Sequence, residues 1–116
     1  MKLNRFNNLS RPRIATFENP GDCHSGTIVE DPNWIPDPLD TSRECLKVLV
    51  QDDFGVYWQF HARTQMPDAI HDAVVAAGQD ELAVGGRLTV RWVESRGNKK
   101  IYHALYAAPD NEKAPF

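Results

Sequence analysis

Hydrophobic and polar positions alternate through CLKVLVQ, where Leu46, Val48 and Val50 share one face and Cys45, Lys47, Leu49 and Gln51 the other. That period of two is the signature of a half-buried β-strand. The run VYWQFHAR repeats it, with Val56, Trp58, Phe60 and Ala62 opposite Tyr57, Gln59, His61 and Arg63. The intervening DDFG supplies turn residues, so the two runs predict a hairpin. The period then changes. In MPDAIHDAVVAAG, Pro67 suits a first helical turn, Asp68 suits the positive end of the helix dipole, Ile70, Val74 and Ala77 form a stripe, and Gly78 ends it. This predicts a helix from Pro67 to Ala77. Beyond it, LAVGGRLTVRWV opens a strand with Leu88, Val90 and Trp92 on one face and Arg87, Thr89, Arg91 and Val93 on the other. ESRGNKK reads as a turn, and IYHALYA as a closing strand whose inner face alternation alone does not assign. Upstream, a first strand is expected around Thr27 to Glu30, followed by a long loop, DPNWIPDPLDTSRE, rich in Pro and Asp.

The predicted order is strand, long loop, hairpin, helix, hairpin. It points to an all-β protein with one helix, an OB-fold-like five-stranded Greek-key barrel whose helix lies between the third and fourth strands. An SH3-like barrel or an α+β sandwich are the other architectures with this strand content. The expected organisation is a flexible basic N-terminal arm over residues 1–16, a folded domain over 17–109 and a flexible tail over 110–116. Composition agrees with one soluble domain: 116 residues, 41% hydrophobic and 25% charged. No apolar run approaches the ~20 residues that span a bilayer, and the basic start has no apolar segment behind it. These features predict a cytoplasmic protein without a membrane partner. Cys23 and Cys45 stand far apart and read as reduced residues rather than a disulfide or metal pair.

The net charge of -3 conceals an uneven distribution. Residues 18–53 hold nine acids against Arg43 and Lys47, whereas Arg87, Arg91, Arg96, Lys99 and Lys100 face only Glu94 between 87 and 100. If the aliphatic faces of the first hairpin fill the core, then Lys47, Tyr57, His61 and Arg63 project together outside it, with Arg91 able to join them from the fourth strand. Arg96, Lys99 and Lys100 would clamp one end of the groove. Aromatic planes for base stacking beside cations for phosphates are what single-stranded nucleic acid requires. These eight residues are therefore the candidate nucleic-acid-binding set. Cations on a hairpin also serve solubility and edge protection, Trp58 and Trp92 are in phase with core residues, and Trp34 stands apart in the Pro-rich loop.

The stretches PGDCHSGTIVED, MPDAIHDAVVAAGQDELAVGGRLTVRWVE and KIYHALYAAP, across roughly residues 20–109, resemble a pattern found in small OB-fold proteins of actinobacteria and their bacteriophages. Members of that family look like single-stranded DNA-binding proteins. The resemblance implies a largely sequence-independent binder of single-stranded DNA, or RNA, acting in phage or bacterial DNA replication and recombination, in the host cytoplasm if phage-encoded. In this pattern Gly78, Gly85 and Gly86 are structural rather than chemical. The alternative is a phage interaction module that binds and modulates a host protein, favoured by Trp34 and the acidic 18–53 region. An enzyme is not expected: His24, His61, His71 and His103 lack metal-ligand spacing, and no nucleophile or phosphate-loop motif occurs. Asp22, Asp52 and Asp53 read as turn residues. No cofactor or metal is implied.

Overall fold

The computed structural model of the protein describes residues 12–109. Its elements are β1 (Arg13–Ile14), β2 (Cys23–Ile28), β3 (Asn33–Asp37), β4 (Asp40–Gln51), β5 (Tyr57–Ala62), α1 (Met66–Ala76), β6 (Arg87–Arg96) and β7 (Lys99–Ala107). The strands form one open sheet in the order β1-β5-β4-β2-β6-β7, with β3 attached to β4. Successive neighbours from β5 to β7 are antiparallel, so β5 and β7 run in the same direction, and β1 lies parallel on the outer edge of β5.

The alternation read from the sequence determines which side chains enter the core. Val48, Val50, Phe60, Leu88 and Val90 are fully buried, with Ile28, Ile70 and Val74 packed among them. Each such aliphatic or aromatic side chain contributes about 1.5–3 kcal/mol by leaving water. The helix presents Met66, Ile70, Ala73 and Val74 to this core, begins with Pro67 in its first turn, and carries Asp68 there. Gly26 lies where β2 passes between β4 and β6, and a Cβ at that position would stand 2.7 Å from the Gln51 carbonyl oxygen. Only glycine permits so close an approach of two backbones. The inner face of β7 is Tyr102, Ala104 and Tyr106, and the Tyr106 hydroxyl accepts the Ala83 N–H at 2.9 Å.

The structure corrects the expected strand count and closure: among the described residues there are seven strands, not five, and the sheet is open. The two additional strands come from segments read as arm and loop. Arg13–Ile14 joins the sheet and Ala15 and Phe17 enter the core, so the folded region begins before residue 17. The rest of the expected arm and the tail from residue 110 lie outside the described residues. The Pro-rich loop contains β3 and the first half of β4. β3 pairs along one edge only, and an edge strand is where a sheet accepts proline, because a missing N–H on the unpaired side breaks no ladder bond. The strand expected around Thr27 to Glu30 is β2, which runs from Cys23 to Ile28, and the final hairpin turns on Gly97-Asn98 alone, with Arg96 and Lys99 already inside strands. No helix among the described residues is long and apolar enough to cross a membrane.

Candidate nucleic-acid interface

The two ends of the open sheet approach each other through the segment Ile14–Phe17. The Ala15 N–H donates to the Gln59 carbonyl at 2.9 Å on the β5 side. On the β7 side, Lys100 Nζ donates to the Phe17 carbonyl at 2.9 Å, and the Phe17 ring meets Tyr102 edge-on at 5.4 Å. Between these elements lies a cleft of about 490 Å3, lined by His61, Arg63, Lys100 and Tyr102 with Leu39 and Met66 as apolar wall. Its size suits one planar group of a small ligand or a nucleotide.

Its electrostatics are set by the neighbours of each charged group. Arg63 makes a two-pronged contact with Asp37, Nε to Oδ2 at 2.7 Å and Nη2 to Oδ1 at 2.8 Å. The guanidinium and the Leu39 N–H hold the Asp37 carboxyl below its ordinary range, and the carboxylate in turn raises the arginine. The His61 ring is shifted down by burial first, then by the charge of Arg63, with Lys47 adding to the same effect. Its Nε2 accepts from the Gln59 side-chain amide at 2.6 Å, as a neutral imidazole can. Burial raises the Tyr102 phenol. Lys100 also sits 4.5 Å over the Trp92 ring, a cation–π contact. Beneath the Asp37–Arg63 pair, Cys45 is fully buried and its thiol is pushed up.

Of the eight residues expected to bind nucleic acid, His61, Arg63 and Lys100 line this cleft. Lys47 flanks it as the cross-strand partner of His61, with its ammonium 3.5 Å from Glu30. The other four are elsewhere. Tyr57 lies at the opposite end of β5, across from Gln51. Arg91 is three strands from β5, between Cys23 and His103, so it does not join the first hairpin. Arg96 pairs with Glu94 at 2.9 Å. Lys99 and Lys100 are consecutive in one strand and therefore face opposite sides; only Lys100 reaches the seam. The separation of Arg91 has a physical cause. A shared polar face says nothing about how far apart two strands lie in the sheet.

The sequence pattern does not mark Asp37, Phe17, Tyr102 or Leu39 as site residues. Tyr102 was discoverable, since it alternates with Ala104 and Tyr106, but Asp37 lay in a segment whose proline content reads as loop. The turn aspartates have structural occupations. Asp22 accepts the N–H groups of Glu18 and Asn19. Asp52 accepts those of Phe54 and Val56 and the Trp58 indole N–H. Both carboxyls are lowered by these bonds. Among the described residues, no group of three or more His, Cys, Asp or Glu is placed to hold a metal ion. No protein-family model, curated protein or solved structure matches the chain.

Proposed function

We propose that the protein is an OB-like module that binds single-stranded nucleic acid, DNA in the first instance, at the seam cleft and without reading sequence. With β2 and β3 taken as one interrupted strand along β4, the order β5-β4-β2-β6-β7 with α1 between β5 and β6 is that of a five-stranded Greek-key barrel, opened where β5 would meet β7. The segment around β1 occupies that opening. His61 of β5, Arg63 just beyond its end and Lys100 of β7 converge on a cleft walled by Tyr102, and that convergence carries the functional reading. A base placed against an aromatic wall, with its phosphate near lysine and arginine, is the minimal unit of single-strand recognition.

Few cations take part, so affinity is modest and its dependence on salt shallow. The Lys47–Glu30 pair that flanks the cleft is partly exposed and weak, and a phosphate can displace its carboxylate. Binding entails no chemistry on the strand. The test is fluorescence anisotropy of a labelled mixed-sequence oligonucleotide titrated with the full chain over a salt series. The expected result is binding at low salt that weakens with a log-log slope of about -0.7 per phosphate contacted, and ultraviolet crosslinks that map to the cleft residues. Absence of binding at low salt, or crosslinks that avoid the cleft, overturns the proposal.

A further inference from the structure

A second groove lies between α1 and the β3–β4 hairpin. Trp34 of β3 and Leu46 of β4 are cross-strand partners, and they form one wall. The outer edges of the core residues Ile70 and Val74, with Pro67 and His71, form the α1 side, and Leu82 closes the end of a groove of about 310 Å3. Trp34 is 54% exposed although it sits in a regular strand, so the largest side chain of the groove is half in water. Among the described residues β3 pairs with β4 alone.

The rim identifies the occupant. Asp80 and Glu81 line the groove, and exposed Asp31 immediately precedes Pro32, which also lines it. Among the described residues that line it none is a lysine or arginine, and His71 is the one other ionisable side chain. A phosphate backbone is repelled by such a rim, whereas a cationic peptide is drawn to it. Exposed tryptophan in an apolar depression is also the residue and setting that most often dominate protein–protein contacts. We propose that this groove docks an extended segment of a partner protein that presents lysine or arginine beside an apolar anchor. The anchor inserts between Trp34 and the Ile70–Val74 face, and the cations meet Asp80 and Glu81. The groove and the seam cleft share no lining residue, so the two proposals fail separately.

The experiment uses the full chain and two short labelled peptides, one alternating Lys and Leu around a central Trp, the other with Glu in place of each Lys. The Lys peptide is expected to bind and the Glu peptide not to. Asp80→Asn with Glu81→Gln weakens binding by about fivefold, the size of two rim charge contacts, and Trp34→Ala by about tenfold or more. Methyl chemical shifts of Ile70, Val74 and Leu82 move on titration. The charge variant alters only exposed residues, so it decides the matter even if Trp34→Ala does not fold. Equal binding of the Glu peptide, indifference to the charge variant, or shifts confined to the seam around His61 and Tyr102 overturn the proposal. A dimer in sedimentation that dissociates on Trp34→Ala also overturns it, by assigning the groove to a second copy.

Discussion

Asp37 and Arg63, 26 positions apart, are joined by two hydrogen bonds of 2.7 and 2.8 Å that tie the β3–β4 hairpin to the end of β5. The carboxylate is almost wholly buried while the guanidinium is about one-third exposed, with side-chain exposures of 5% and 32%. The pair thus secures an edge strand and holds a cation at the cleft, and at the same time cancels much of that cation's charge. This bears on both stability and binding.

Asp37→Asn is expected to lower the thermal unfolding midpoint near neutral pH and to tighten oligonucleotide binding by freeing Arg63. Because the folded chain holds the Asp37 carboxyl below its ordinary range, the stabilisation it contributes is present above that range and is lost as pH falls through the lowered value. The gap between wild type and variant should therefore close under strongly acidic conditions. Thermal denaturation followed by circular dichroism over a pH series checks this.

His61 should titrate below the ordinary histidine value of 6.5, since burial and the neighbouring cations disfavour its charged form. The folded chain then binds this proton less tightly than the unfolded one. The associated stability is present above the ordinary value and is lost as pH falls through the lowered one. Acidification adds a positive charge to the cleft, so oligonucleotide affinity should rise over the same interval. NMR titration of the ring and anisotropy at matched pH values test both, and His61→Gln removes its share of each effect.

Lys99→Ala and Lys100→Ala should behave differently although the residues are adjacent. Loss of the Lys100 bond to the Phe17 carbonyl and of its contact with Trp92 is expected to cost about 1 kcal/mol in urea unfolding and to weaken oligonucleotide binding. Lys99→Ala should leave stability within about 0.5 kcal/mol. Equal effects would show that the hairpin acts through its net charge alone.

Gly26→Ala forces a methyl group against the Gln51 carbonyl and Val50, at 2.7 and 2.8 Å. A destabilisation of about 1–3 kcal/mol is expected from overpacking, measured as a lower urea midpoint. Gly97→Ala, whose Cβ would meet nothing within 4 Å, is the control for backbone strain without a clash.

In the native protein a thiol reagent should modify Cys23, which is exposed, and spare Cys45, which is buried with its thiol pushed up. Both should react in denaturant. Native reaction at Cys45 would indicate that the Asp37–Arg63 cover opens.

Periodicity, with the end signals of Pro67, Asp68 and Gly78, determined the second half of β4 and its hairpin with β5, the helix to within one residue at each end, the central parts of β6 and β7, and the buried identities of Val48, Val50, Phe60, Leu88 and Val90. These are local properties: a strand alternates and a helix repeats because of the geometry of adjacent residues, whatever lies across from them. The tertiary structure alone decided that Arg13–Ile14 completes an edge, that a Pro-rich stretch can be a strand, that Tyr102 rather than His103 faces inward, and that Arg63 is held by Asp37. It also separated Arg91 from Lys47 and joined Lys100 to His61. Each of these depends on which distant segments meet, and that choice follows from burying one common core, for which no short window of sequence carries the register.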